Sequence, residues 1–433
     1  MTLLAERHET YTASFEALGR DPVFGATAVR QARERAFDRF LSRGFPTTRD
    51  EDWRFTSVAP IAAVPFGRPP VTAIDPAEAV RLNGVPVGVP IVVVNGRLSA
   101  PIAGLPDGVT VRSLSDAPVD AVLPERADGG TVFVDLNTAF FEDVITIDVA
   151  PRAIVRDTLH VIFVSAPGAD PALVSPRLTI TVGEQAQCAV IESYVDLGRS
   201  GVGLAAGGPV LANGVTDVRL APGANVDHVK FQHQGDASFH MATMFVRLDR
   251  AAVFTSHSLV LGGRIVRNDI IATLEGAGAE CTLNGLYVGV GDGLVDTHTT
   301  IDHAQPHCPS HEVYKGILAG RARAVFNGKI LVRQDAQKTD AKQTNKALLL
   351  TDQAQINTKP QLEIFADDVK CTHGAAIGQL DEDALFYLKA RGIGPIEARN
   401  MLIHAFAGQV LDGVQAEPLR RAAMARVEHL LGL

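Results

Sequence analysis

Alternating apolar and polar residues dominate the middle of the chain, from about Val155 to Phe365. Short runs rich in Val, Ile, Thr and Leu are separated there by Gly, Asp, Asn and Pro. Such runs are typical of half-buried β-strands joined by turns. The pattern therefore predicts that this region is all β.

A short phrase recurs within this region: an Ala in a turn, then any residue, then a small or apolar residue that points inward. A Greek-key sandwich would also contain strands, but it gives no reason for such a repeat. Stacked coils do, because small residues allow tight corners. We therefore predict a mainly β chain with a parallel β-helix core. The copies of the phrase are Ala186 with Cys188, Ala224 with Val226, Ala252 with Phe254, Ala277 with Ala279, Ala322 with Ala324, and Ala354 with Ile356.

Helical patterns precede and follow the predicted β-helix. Apolar residues recur at helical spacing between about Ala5 and Arg43, and the Pro- and Gly-rich stretch 60–106 predicts a loop-rich connector. Three helices are predicted in the tail, and they begin near Asp381, Pro395 and Glu417.

The predicted division has three parts: a helical and loop-rich domain at 1–130, a β-helix core at 131–370 and a C-terminal helical domain at 371–433. The residues leave two interpretations of the tail open. It caps the exposed end of the solenoid, as coil ends require. Alternatively, its apolar stripes form a docking surface for a partner protein.

Composition excludes several classes of protein. The 433 residues include 40 Lys and Arg against 49 Asp and Glu, a formal charge of -9, which favours neither nucleic acid nor anionic lipid. The longest apolar runs fall far short of the roughly 20 residues that a membrane span needs. The first residues lack the pattern of a secretion signal, and the four Cys lie far apart. We therefore expect a cytoplasmic protein without nucleic-acid or membrane partners.

Cys371 and His373 are the leading candidates for chemistry. In an extended segment, residues two apart point to the same side, so this thiol and this imidazole are offered to one metal or cluster. Structural zinc and iron-sulfur centres usually take four protein ligands, and no second such pair lies nearby in sequence. The two residues are therefore an ordinary Cys beside an ordinary His, or half of a site that is completed from elsewhere.

A second collection of possible ligands lies further upstream and suggests a metal-dependent β-helix enzyme as the alternative. Strand geometry weakens this hypothesis, because His298 and Asp302 share one face of an extended run while His303 points to the other. The collection consists of Asp296, His298, Asp302, His303, His307, Cys308 and His311.

Motifs for catalysis by this chain alone are missing. Gly328 and Lys329 are similar to the end of a phosphate loop, but Ile330 stands where a Ser or Thr would hold magnesium. There is no Gly-x-Ser-x-Gly elbow and no His-Glu-x-x-His helix. We therefore expect a protein that is not itself an enzyme.

Several specific stretches resemble the SufB/SufD family of the SUF iron-sulfur cluster assembly machinery. The strongest lies within Lys338–Gly394, where Thr-Lys-Pro-Gln-Leu-Glu-Ile at 358–364 is followed by Ala-Asp-Asp-Val-Lys-Cys and His-Gly-Ala. Asp-Thr-His-Thr at 296–299, GRARAVFNG at 320–328 and Glu-Asp-Trp-Arg-Phe-Thr at 51–56 also match. Because the extra N-terminal cysteines of SufB are missing, the resemblance is to the SufD branch.

The resemblance implies a right-handed parallel β-helix flanked by N- and C-terminal helical domains. It implies a scaffold subunit that pairs with SufB through the β-helix and holds the ATPase SufC through its C-terminal helices. The missing ligands of Cys371 and His373 would then come from SufB, with His373 ahead of Cys371 at a transient cluster or iron site. The resemblance leaves open a reduced flavin in the complex and a homodimer of the isolated chain.

Overall fold

The structure is a computed structural model that describes residues 3–20, 27–114, 131–197 and 207–433. Most of the described chain forms two large sheets in which nearly all neighbouring strands are parallel. The antiparallel pairs among the described strands are β1 with β2 and β3 with β4, at the N-terminal end. The predicted mainly β chain with a parallel β-helix core is confirmed.

Sheet one contains ten strands. In spatial order they are β2 (Arg97–Leu98), β1 (Val89–Val94), β5 (Leu159–Ser165), β8 (Gln187–Asp196), β10 (Asn225–Gln232), β12 (Val253–Val260), β14 (Glu280–Gly289), β16 (Pro309–Leu318), β18 (Asp340–Leu349) and β20 (Lys370–Gly378).

Sheet two lies opposite and also contains ten strands. They are β19 (Gln355–Ile364), β17 (Arg323–Val332), β15 (Leu294–His303), β13 (Ile265–Leu274), β11 (Phe239–Leu248), β9 (Val210–Leu220), β7 (Arg177–Val182), β4 (Ile145–Val149) and β3 (Val109–Arg112), with β6 (Ala172–Val174) beside β9. From β7 onward successive strands alternate between the sheets, and the solenoid has about eight turns.

The helices flank this solenoid in sequence. Five precede most of its strands and three follow its last strand: α1 (Leu3–Gly19), α2 (Thr27–Arg43), α3 (Ala59–Ala62), α4 (Pro76–Asn83), α5 (Val132–Phe140), α6 (Glu382–Ala390), α7 (Pro395–Leu411) and α8 (Glu417–Leu431). None of the helices in the described ranges has both the length and the apolar character that a membrane crossing requires.

Small buried residues occupy the corners that lead into the strands. In sheet one, Ala186, Ala224 and Ala252 each directly precede a strand. The first residue of the strand one coil later donates its N–H to the carbonyl of that Ala. The repeated phrase thus marks stacked coils, as predicted. The copy at 277–279 needs a correction, because Ala279 and not Ala277 occupies the corner. Cys308 holds the equivalent corner one coil later, and a search for Ala alone misses it.

Alternate residues of each strand fill the interior, where parallel register brings like positions together. In two adjacent strands the fit depends on glycine. Gly285 lies beside Tyr314 and Gly316 beside Tyr287, and a Cβ on either glycine would come within 2.1 Å of the tyrosine ring. Large and small side chains therefore interlock between neighbouring coils.

The N-terminal helices cover the outer face of sheet two. Aromatic side chains of α1, α2 and α5 form one cluster, in which Phe15 stacks on Phe37 at 4.2 Å between ring centroids. The cluster continues onto outward-facing strand residues such as Phe239 and Leu294. Trp53 belongs to this cluster and is 8% exposed, so its ring anchors the N-terminal segment on sheet two.

The C-terminal helices pack on the outer face of sheet one. Ile403 and Val410 of α7 and Val427 of α8 share an apolar cluster with strand residues such as Leu286 and Ile317. The helix starts predicted from sequence are close to those observed, and the Asp381 carboxylate caps α6 by accepting from the Ala384 N–H at 3.0 Å.

The last strand of the solenoid crosses residue 370, after which the predicted helical domain begins, and the division into domains stays a prediction. β20 continues to Gly378, because β18 offers it a full ladder from Asp340 to Leu348. The run of Thr, Gly and Ala after residue 371 does not have the apolar alternation of the earlier strands, so the sequence pattern ends too early. Cys371 and His373 thus lie on the last coil of the solenoid and not in the helical tail. The predicted boundary at 130 falls at the end of a range outside the described residues.

Candidate functional site at the open end of the solenoid

The solenoid ends on two neighbouring strands whose outer edges carry no further strand among the described residues. β19 and β20 are the last strands of their sheets, and most residues of β20 are exposed. Large apolar side chains lie at this end: Ile364 is 38% exposed, Phe365 63% and Ile377 49%. Unpaired strand edges with apolar side chains are a ready template for another chain.

Cys371 and His373 project from the same side of β20, as the two-residue spacing predicts. Their register partners on β18 are Ala341 and Gln343, which are buried in the interior. Both candidate residues therefore lie on the inward face of the terminal coil, at the mouth of the solenoid. Their role as iron ligands stays a prediction.

The two candidates differ in their surroundings. Cys371 is half-buried and packs against an apolar cluster that includes Ile330 and Ala341, whereas His373 is exposed. Burial is the main cause of a raised pKa at the Cys371 thiol. A thiol must lose its proton before it ligates a metal, so the raised pKa favours the protonated, packed form. His373 is therefore the more accessible ligand.

A polar column lies directly beneath His373, and the sequence patterns did not reveal it. Glu312, Gln343 and His373 are register partners on β16, β18 and β20. Gln343 Nε2 donates to Glu312 Oε2 at 2.6 Å, and both side chains are buried. Burial raises the pKa of Glu312 to about 7. The signal available in sequence was an acidic residue at an inward position of a strand, between Ser310 and Tyr314.

The alternative set of ligands is dispersed over the solenoid. Asp296, His298 and Asp302 project from the outer face of sheet two, whereas His303 points into the interior, 3.0 Å from the Ser310 hydroxyl. Cys308 fills a buried corner of the solenoid. In the described part of the chain no group of three or more His, Cys, Asp or Glu side chains is arranged to hold a metal ion. The predicted separation of His298 from His303 is confirmed.

Asp296 and His298 instead belong to a clamp that holds the N-terminal segment on sheet two. The buried Asp296 carboxylate accepts from Thr56 Oγ1 at 2.6 Å and from Arg267 Nη1 at 2.9 Å. Arg267 also donates to the Asp52 carbonyl and lies 3.9 Å from the centroid of the Trp53 ring. Charge pairing and stacking thus fix the segment that contains Glu-Asp-Trp-Arg-Phe-Thr.

Both ring nitrogens of His298 face protein groups. Nε2 lies 3.1 Å from Asp296 Oδ1, and Nδ1 lies 3.3 Å from Arg267 Nη2 and 3.4 Å from Asn327 Nδ2. Because the Arg267 and Asn327 groups are donors, Nδ1 is the acceptor and Nε2 carries the proton. Both nitrogens thus lie against groups of the clamp, so this His belongs to the clamp.

A separate apolar surface lies on the C-terminal helices. Ile396 is 77% exposed, Met401 45%, Phe386 72% and Tyr387 56%. Ile396 and Met401 line a shallow groove along the start of α7, together with His404. Exposed apolar residues grouped in this way are typical of protein contact sites.

The parallel solenoid, its two helical flanks and its exposed last coil define the structural class of the chain. Protein-family models then give the family. "SufBD protein N-terminal region" matches residues 9–161, and "SUF system FeS cluster assembly, SufBD core domain" matches residues 163–406. The chain belongs to the SufBD family of the SUF iron-sulfur cluster assembly system.

Curated relatives agree with the family assignment. The chain is 32% identical over 399 residues to an iron-sulfur cluster assembly SufBD family protein of Synechocystis, covering 90% of this chain and 88% of the relative. It is 30% identical over 393 residues to the iron-sulfur cluster assembly protein SufD of Escherichia coli, covering 89% of each. The resemblance drawn from the sequence motifs is therefore confirmed.

Proposed function

We propose that this chain is a non-enzymatic scaffold subunit that pairs with SufB and supports cluster formation at their shared interface. The observation that carries the proposal is the position of Cys371 and His373 on the inward face of an exposed terminal strand. Two ligands are too few for a cluster. A partner whose own strands continue the sheets would bring further ligands to the same mouth.

In this proposal His373 is the direct ligand to iron or to the nascent cluster, and Cys371 is an auxiliary ligand or a packed thiol. Imidazole is a suitable iron ligand. The cluster is the product that the complex passes on, and SufB shares its ligation. SufC supplies ATP hydrolysis from its docking site on the C-terminal helices, and this hydrolysis drives rearrangement of the interface.

The test is co-expression of this chain with SufB and SufC, followed by size analysis and measurement of iron and sulfide. His373→Ala should leave the complex intact and remove most of its iron and sulfide, because a ligand is lost without disturbing packing. Thr372→Ala is the matched control, since Thr372 is also exposed but projects from the opposite face of β20.

Two outcomes would count against the proposal. Full iron and sulfide in the His373→Ala complex would remove the ligand role. Failure of the unchanged chain to form a complex with SufB, with only a homodimer on size analysis, would remove the shared interface. Cys371→Ser should reduce iron and sulfide less than His373→Ala, because the half-buried thiol contributes mainly to packing.

A further inference from the structure

We propose that Gln343 is a positioning residue that selects the ring tautomer of His373, with Glu312 fixing the orientation of the Gln343 amide. The inference deepens the proposed function and rests on His373 as the ligand. The three residues occupy the same inward position on the last three strands of sheet one, as register partners.

The first step is the orientation of the amide. Gln343 Nε2 lies 2.6 Å from Glu312 Oε2. In this contact the Gln343 NH2 group is the donor and the Glu312 oxygen is the acceptor, a role open both to an ionised carboxylate and to the carbonyl oxygen of the neutral acid. The two heteroatoms of an amide diverge, and Oε1 is thereby directed away from Glu312.

The amide oxygen of Gln343 is a hydrogen-bond acceptor that this arrangement leaves unused. Gln343 is 2% exposed, and among the described residues its Oε1 atom accepts no hydrogen bond. A buried acceptor without a partner is costly. The next side chain along the column is that of His373, whose ring N–H is a donor.

Sheet two leaves space for this arrangement of the Gln343 amide. Gly328 of β17 lies opposite, and a Cβ there would come within 2.2 Å of Gln343 Nε2. Glycine at this position lets the Gln343 amide lie across the interior instead of folding away. The column is thus packed from both sheets.

The consequence is chemical. When Gln343 Oε1 accepts the N–H of one ring nitrogen of His373, the other ring nitrogen is unprotonated and faces the mouth of the solenoid. A histidine that ligates a metal usually donates its second N–H to an oxygen acceptor in this way, which fixes the tautomer and the ring plane. Gln343 acts through His373 and does not itself touch iron.

The experiment measures the tautomer in the metal-free isolated chain by nitrogen-15 NMR of labelled histidines. The chain has 13 His, and the His373→Ala spectrum identifies the signals of His373. Gln343→Met keeps a similar volume but removes the acceptor. Loss of one hydrogen bond should change the ratio of the two His373 tautomers about fivefold.

Lys342→Met is the matched control, because Lys342 lies on the same strand but points outward and is exposed. Its His373 signals should match those of the unchanged chain. A second variant protects the test against misfolding: Glu312→Gln with Gln343→Glu exchanges donor and acceptor, keeps an oxygen beside His373 and should restore a single dominant tautomer.

An unchanged tautomer ratio in Gln343→Met would overturn the inference, whatever the iron content of the complex. Loss of the single tautomer in the exchanged double variant would also overturn it. The outcome is separable from the proposed function: a tautomer that depends on Gln343, together with full cluster assembly in His373→Ala, would retain the hydrogen bond and reject the ligand role. If Gln343 sets the tautomer and His373 is also an iron ligand, Gln343→Met should lower the iron retained by the complex about tenfold.

Discussion

Glu312 and Glu192 are two fully buried carboxyl groups in the same interior, and their neighbours give them opposite properties. Burial acts to raise the pKa of both. At Glu192, His228 with its Nε2 at 3.0 Å, the nearby Lys230 charge and the Tyr194 hydroxyl, which donates at 2.8 Å, outweigh burial and lower the pKa. At Glu312 burial prevails and the pKa rises to about 7. Partners, and not depth, decide the charge of a buried acid.

The raised pKa of Glu312 predicts a pH dependence of stability. Between the ordinary value of 4.5 and about 7, the folded chain retains a proton that the unfolded chain has released, so the unfolding free energy falls as the pH rises. The contribution is on the order of 3 kcal/mol. Glu312→Gln should remove this fall, which urea denaturation at pH 5, 6, 7 and 8 would measure.

Glu184→Gln is the control for that series, because Glu184 is exposed in a turn. Its stability profile should follow that of the unchanged chain. If Glu312→Gln shows the same loss of stability between pH 5 and pH 8 as the unchanged chain, another group titrates in this window and the assignment to Glu312 is wrong.

Besides their apolar clusters, the helical flanks make polar contacts with the solenoid between segments distant in sequence. The clamp of Arg267 and Asp296 joins β13 and β15 to the segment that contains Trp53. At the other end, Lys315 of β16 donates to the Phe406 carbonyl of α7 at 3.3 Å and lies over its ring. Each helical flank is therefore fixed by a cation that also packs on an aromatic ring.

Removal of the cation from the N-terminal clamp should be strongly destabilising. Arg267→Met leaves the buried Asp296 carboxylate without its charge partner, and breaking such a pair costs about 3 kcal/mol or more. Urea denaturation measures the loss. Arg321→Met removes an Arg that pairs with Asp292 at 2.7 Å on the surface, and it should leave the unfolding free energy nearly unchanged. Equal effects of the two changes would show that the clamp contributes no more than a surface pair.

Which elements the sequence could predict depends on how local their causes are. Strand alternation and the corner alanines are local signals, and they gave the parallel solenoid. The end of β20 is not local: its Gly and Ala residues are held extended by β18. The shared face of Cys371 and His373 followed from strand geometry. The column of Glu312 and Gln343 did not, because it depends on register between residues about 30 positions apart.

At the scale of the whole molecule, the two helical flanks lie on opposite outer faces and leave the C-terminal mouth of the solenoid exposed. Under the proposed function this arrangement separates two contacts. SufB meets the mouth, and SufC meets the exposed surface of α6 and α7. The sequence pattern left two interpretations of the tail open: a cap on the end of the solenoid or a docking surface. Its packing on the outer face of sheet one leaves the end of the solenoid exposed, so the tail does not cap that end, and its exposed Ile396 is compatible with a docking surface.

Ile396→Asp tests the docking role of the tail. A charge in the apolar groove should reduce the amount of SufC that co-purifies with the complex, because desolvating a carboxylate at a contact is costly. Co-purified SufB should be unaffected. Val71→Asp is the control, since Val71 is also an exposed apolar residue, 78% exposed, but lies before α4 and outside the groove. Full recovery of SufC with Ile396→Asp would place the SufC contact elsewhere.

The last coil has fewer neighbouring strands than an interior coil. An interior strand shares its backbone hydrogen bonds with a strand on each side, whereas in the described part of the chain β20 shares them with β18 alone. In a one-dimensional array of coils the end unit opens at the smallest free-energy cost. The residues proposed to bind iron therefore lie on the part of the solenoid that opens at the smallest free-energy cost. If another chain added a coil here, β20 would have a neighbouring strand on both sides. The site would then become rigid only when the complex assembles.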